Sequence, residues 1–163
     1  MTNFNNTPCV EVKEDFTVWK GWADICSQIN QAISKAEKDN MIVIIETYQG
    51  VIDEELVAAL QKGIGHDLWI NSANAMKREE ELLALVYPDV TDDRIFGYLT
   101  RLNMTDFMDQ SALLEIRGTI NQATGTIIIY GTGGSLIPDS YDLLIYADMA
   151  RWEIQQRMRK NLV

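Results

Sequence analysis

Apolar residues recur along this chain with two different periods. From Val18 to Asp39 they fall at Trp22, Ile25, Cys26, Ile29 and Ile33, the spacing of a helix with one buried stripe. Asn40 closes that segment. Met41–Glu46 (MIVIIE) then runs apolar without alternation, which suits a strand covered on both faces. TYQGVID makes a turn, and Asp53 is expected to cap a helix over Glu54–Lys62 with Leu56 and Leu60 inward. Gly63 and Gly65 stop it. Asp67–Asn71 reads as a short second strand, and Met76–Val86 as a very acidic helix ended by Pro88. The loop PDVTDDR carries turn chemistry, and an apolar patch follows at Ile95–Leu99. Thr105–Gln122 is helical by spacing, with Phe107, Met108, Leu114 and Ile120 inward. Two further apolar runs, Thr126–Tyr130 and Leu143–Ala147, are joined by a glycine-dense turn. A segment with three arginines and a lysine ends the pattern.

Strands alternating with helices predict an α/β fold: three layers, α/β/α, around a mostly parallel sheet. The 163 residues fit a single domain, an N-terminal arm over 1–17 and a core over 18–163, without repeat or linker. Apolar content of 47% places the chain among globular proteins and against disorder. A net charge of −10 argues against nucleic acid and against an anionic membrane surface, since both need clustered Lys and Arg. No segment reaches the roughly 20 apolar residues of a membrane span. MTNFNNTPCVEVKED lacks the basic-then-apolar design of a signal peptide. Cys9 and Cys26 have no paired spacing and read as reduced thiols of a cytoplasmic protein. With His66 as its one histidine, the chain has no multi-histidine zinc site.

Three stretches carry candidate chemistry. At the first strand–helix junction, Ile45–Asp53, an α/β domain offers backbone N–H groups and a helix N-terminus to phosphate. The phosphate-loop signature needs a second glycine, a lysine and a hydroxyl; here only Gly50 remains. Asp53 and Glu54 put negative charge where an anion would dock, and an ordinary helix start explains the stretch as well. Gly131, Thr132, Gly133, Gly134 and Ser135 form a second candidate, a nest of N–H donors for an anion or a sugar hydroxyl. A tight inter-strand connection needing positive φ is the plain alternative. The third is Asp148 with the helix beyond it, where Arg151 and Arg157 can place guanidinium forks over a phosphoryl group. Arg159 and Lys160 fit the carboxyl end of a helix dipole. Asp89, Asp92 and Asp93 match no calcium loop and read as a solvated turn.

Strand–loop–helix at the front, then GTIIIYG, YDLLIYAD and an arginine-bearing helix, resemble the small P-loop kinases of the uridine-kinase type. More closely, IETYQGVIDEELVAAL, VYPDVTDDRIFGYLTRLNMTDFMD, GTGGSLI and DLLIYADMARWEIQQRMR resemble the N-terminal domain preceding the catalytic part of certain bacterial class I mannose-6-phosphate isomerases. The likeness covers about Trp22 to Arg159. It implies a P-loop NTPase-like, nucleoside-kinase-like fold with a degenerate phosphate loop. The isomerase reaction of that family depends on zinc in a separate cupin domain, which a chain with one histidine does not supply. The function expected is therefore a non-catalytic accessory or binding domain tied to sugar-phosphate metabolism. Its pocket would comprise Gly50, Gly131, Thr132, Gly133, Gly134, Ser135, Asp148, Arg151 and Arg157, with no catalytic residue, metal or cofactor. A sugar phosphate or nucleotide is the expected ligand and a neighbouring isomerase domain the expected partner; a homo-oligomer is left open. Two alternatives stand beside it. One is a divergent phosphotransferase with Arg151 or Arg157 replacing the lysine and Asp148 or Glu46 holding magnesium. The other is an interaction or dimerisation module presenting Trp and Met.

Overall fold

The computed structural model describes Cys9, Glu11, Lys13 and residues 15–163 apart from Arg94; most of the expected 1–17 arm lies outside these. The described residues form an α/β fold with a four-stranded, all-parallel sheet and five α-helices. In chain order the elements are α1 (Trp22–Lys35), β1 (Asn40–Thr47), α2 (Asp53–Gly63), β2 (Leu68–Asn71), α3 (Glu79–Val90), α4 (Gln110–Gln122), β3 (Gly125–Tyr130), β4 (Leu143–Ala147) and α5 (Arg151–Arg159). Across the sheet the order is β2-β3-β1-β4. β1 is central, with Val43 opposite both Ile128 and Leu143.

Period-two alternation sends the side chains of the apolar runs to two cores. Met41, Val43, Ile45, Ile128 and Tyr130 pack with α1 and α2 through Cys26, Ile29, Leu56 and Leu60. Ile44, Ile127 and Ile129 pack on the opposite face with Leu113 and Ile120 of α4. Both faces of β1 and β3 are thus dry, which is why these strands read as unbroken apolar runs. β4 differs. Leu143, Ile145 and Ala147 join the α1 side, whereas Leu144 and Tyr146 on the other face stay about half exposed. No helix among the described residues is long and apolar enough to cross a membrane.

Several boundaries depart from the pattern. α2 begins at Asp53 itself, with Ile52 at the cap position and no side-chain cap. Asp53, Glu54 and Glu55 then fill the first turn, where acids meet the positive end of the helix dipole. The helix expected from Met76 starts later: a 3-10 turn over Ser72–Ala75 precedes it, and Met76 bridges antiparallel to Met108. α3 starts only at Glu79 and runs through Pro88 to Val90. Pro88 stands in the last turn, so its missing N–H removes a single bond near a terminus. Met104–Phe107 is likewise a 3-10 turn, and α4 begins after Asp109, whose carboxylate accepts the Ala112 N–H at 2.8 Å. That start sets the helical phase, which buries Leu113 and Ile120 and leaves Leu114 67% exposed rather than inward. Arg94, part of the expected turn PDVTDDR, lies outside the described residues.

Lys77–Phe107 therefore forms an excursion whose base is closed by two pairs. Lys77 N–H donates to Phe107 O at 2.9 Å, and Asp109 N–H donates to Ala75 O at 2.8 Å. α3, its one α-helix, contributes no buried residue.

Candidate functional site

In an open parallel sheet, ligands bind beyond the carboxyl ends of the strands, where successive connections leave for opposite faces. The chain leaves β1 for α2 on one face. It leaves β3 over the other face, where a Cβ at Gly134 would meet Ile44 and Ile129 at 3.6 Å. The crevice between the ends of β1 and β3 is the predicted place. Glu46 and Thr47 end β1, Tyr130 ends β3, and Gly131–Ser135 follows directly.

This crevice is filled by the protein's own groups. The Glu46 carboxylate accepts the Gly133 N–H through Oε1 and the Ser135 N–H through Oε2, the latter at 3.0 Å. The Thr132 hydroxyl donates to Thr47 O at 3.0 Å, and Ser72 Oγ donates to Thr132 O at 2.9 Å. Asn71 Nδ2 donates to the Tyr130 hydroxyl at 2.8 Å. Gly134 N–H is turned back to Gly131 O at 3.2 Å. Positive φ at Gly131 (113°) and Gly133 (76°) shapes the nest. A Cβ at Gly131 would collide with Ser72 Oγ. The glycine loop is thus both a nest of donors and the tight connection that glycine permits, and the anion seated in it is Glu46. Burial is the first cause pushing the Tyr130 phenol up, followed by the Asp53 charge; the Asn71 hydrogen bond works against both.

The remaining candidates lie on the α1–α2 side. Gly50, at φ 94°, sits under α5: a Cβ there would come within 2.8 Å of Ile154 Cγ1. Arg157 Nη1 donates to Gly50 O at 2.7 Å, and its Nε donates to Glu153 at 3.1 Å. Tyr48 N–H is taken by Ala147 O at 3.0 Å, and Val51 N–H by Tyr48 O at 3.2 Å. The turn where a phosphate loop would stand is therefore folded onto β4 and roofed by α5. Burial, then the neighbouring Glu54, push the Asp53 carboxyl up.

Beside this turn lies a cavity of about 340 Å³ between α1, α2, β4, the segment Asp148–Met149 and Arg157 in the last turn of α5. Its walls are mainly apolar, including Trp22, Ile25 and Ile145, with Glu55, Asp148 and Arg157 as the charged groups. Asp148 Oδ1 accepts the Met149 N–H at 2.7 Å. Gly131–Ser135 takes no part in lining it. The expected pocket residues are thereby brought together as two clusters rather than one. Asp148 and Arg157 line the cavity, with Gly50 bonded to Arg157 beside it, and Gly131–Ser135 group at the crevice. Arg151, the first residue of α5, is exposed and has no ion pair among the described residues. Among those residues no three His, Cys, Asp or Glu side chains converge as metal ligands, and Asp93 instead accepts the Ile95 and Phe96 N–H groups.

Sequence reasoning gave Glu46 a magnesium role under one alternative and missed its contact with the glycine loop. The available signal was an acid ending a wholly apolar strand, whose neighbour ends in a chain of glycines.

The family described as a domain of unknown function, DUF8485, matches residues 21–163, and the chain belongs to it. No curated protein and no solved structure matches the chain.

Proposed function

We propose that this chain is a non-catalytic binding domain: a degenerate, P-loop kinase-like accessory module of sugar-phosphate metabolism, working beside an isomerase-type domain. The carrying observation is the Glu46 carboxylate seated on the Gly133 and Ser135 N–H groups. A phosphate at that loop would have to displace a tethered anion, and the like charges oppose each other at short range. The acids Asp53, Glu54 and Glu55 at the start of α2 act in the same direction. Phosphoryl transfer depends on positioning and on positive charge at the transferred group. Neither edge cluster supplies a free cation deep in the site, because Arg157 is already bonded to Gly50 O and Glu153.

The ligand class is a sugar phosphate or a nucleotide, held at the cavity that Asp148 and Arg157 line, with the exposed Arg151 of α5 as the cation for its phosphate. The apolar cavity walls take the sugar or base. Titration calorimetry with mannose 6-phosphate, fructose 6-phosphate and magnesium-ATP is the test. Binding that falls about tenfold or more in Arg151→Ala, without turnover, is the expected result. Magnesium-dependent phosphate release proportional to protein would replace this reading by the phosphotransferase. Absence of heat with all three ligands would remove the ligand class.

A further inference from the structure

Outside the carboxyl edge, two unpartnered surfaces are complementary to each other. α3 presents Leu83, Tyr87 and Val90, each about 60% exposed, at the i, i+4, i+7 spacing of one helical face. Glu79, Glu80 and Glu81 lie at its amino end, and exposed Asp92 lies just beyond its carboxyl end. α5 is the converse. Trp152 (67% exposed) and Met158 face outward together with Arg151, Arg159 and Lys160. The Arg159 guanidinium stands 6.0 Å over the Trp152 ring. In a chain of net charge −10, these cations form an apolar-basic face opposite in character to α3.

We infer that α5 of one copy docks on α3 of another, with the two helices antiparallel. That orientation places Arg159 and Lys160 against Glu79 and Glu80, Glu81 being held by Arg78 of its own chain. Trp152 and Met158 then cover Leu83, Tyr87 and Val90. Large exposed apolar side chains flanked by charge mark a protein contact. Here charge complementarity selects a second copy as the occupant. α3 emerges from the β2 edge and α5 from the β4 edge, the two outer strands of the sheet, so the contact is made between molecules.

The test is sedimentation velocity of the full chain over a micromolar concentration series, with circular dichroism confirming that each variant is folded. Two variants each break one surface: Arg159→Glu with Lys160→Glu, and Leu83→Glu with Tyr87→Glu. Both leave Arg151 in place, so ligand binding and assembly are read separately. The unmodified chain should self-associate, less so as salt rises, and each variant should weaken this about tenfold or more. An equimolar mixture of the two variants should regain association, because each retains the surface its partner lost. A chain that stays monomeric, association that persists unchanged in either variant, or a mixture that stays apart overturns the proposal.

Discussion

The crevice between β1 and β3 and the Lys77–Phe107 excursion are opposites. At the crevice, the groups that look ready for a ligand are bonded to one another: Glu46 to Gly133 and Ser135, Thr132 to Thr47, Ser72 to Thr132. On the excursion, α3 buries nothing and Leu83, Tyr87 and Val90 face solvent. Residue types that suggest chemistry therefore hold the fold here, while an unremarkable acidic helix keeps a free surface. A glycine-rich loop becomes a site only if its donors are open. Whether they are depends on what the neighbouring strand places beneath them.

Breaking the crevice should have the largest effect. Glu46→Ala leaves the Gly133 and Ser135 N–H groups without their charged acceptor and should cost about 2–3 kcal/mol, read by urea unfolding. Glu46→Gln, which keeps one acceptor oxygen, should cost less. An unchanged midpoint in both would mean that the loop does not depend on the carboxylate.

Gly50→Ala comes next. It imposes a Cβ 2.8 Å from Ile154 Cγ1 at a φ of 94°, and should cost about 1–3 kcal/mol. Its mark would be loosening of α5, seen as faster amide exchange over Arg151–Arg159.

A smaller effect is expected from pH. The Lys38 ammonium and the Ile42 N–H, at 2.8 Å, hold the Asp142 carboxyl below the usual carboxylate range. A carboxyl lowered on folding stabilises above its unfolded pKa of about 3.9, and that contribution is lost as pH falls through the folded value. Thermal unfolding of the unmodified chain should therefore lose stability below about pH 4 more steeply than Asp142→Asn does. Parallel curves would show that the ion pair contributes nothing at the start of β4.

The smallest effect belongs to the excursion. At dilute protein, Leu83→Ser and Tyr87→Ser should each change stability by no more than about 0.5 kcal/mol, against several for a core residue. A loss near that of Glu46→Ala would erase the contrast between the two regions.

The strands were legible because dryness on both faces writes itself as an unbroken apolar run, as in MIVIIE and TIIIY. α1 and α2 were legible from one-sided spacing. The excursion was not. The i, i+4, i+7 apolar spacing of α3 begins only at Leu83, so nothing periodic marked its start at Glu79, and Met76 was drawn into it. Pro88 promised an end that an exposed last turn did not require. Leu114 misled for a related reason: the phase of α4 is fixed by Asp109 capping the helix, and spacing alone did not locate that cap. At the site, sequence order placed Gly50, the glycine loop and Arg157 near strand ends. It could not show that β1 ends in a carboxylate directed at the loop after β3, because that contact spans 87 residues.

The same distances govern how the molecule comes into being. Contacts bordering the β2–β3 ladder join residues 59 apart, those bordering β1–β3 join residues 85 apart, and those at the β1–β4 start span 100. On the ribosome, MIVIIE emerges long before any strand that can pair with it, and its second neighbour arrives only with Leu143–Ala147. Loops of this length close slowly, and an unpaired apolar strand is sticky while it waits. Recovery of native protein should therefore improve when synthesis is cooled and slowed, and a chain ending before Gly125 should come out in the insoluble fraction.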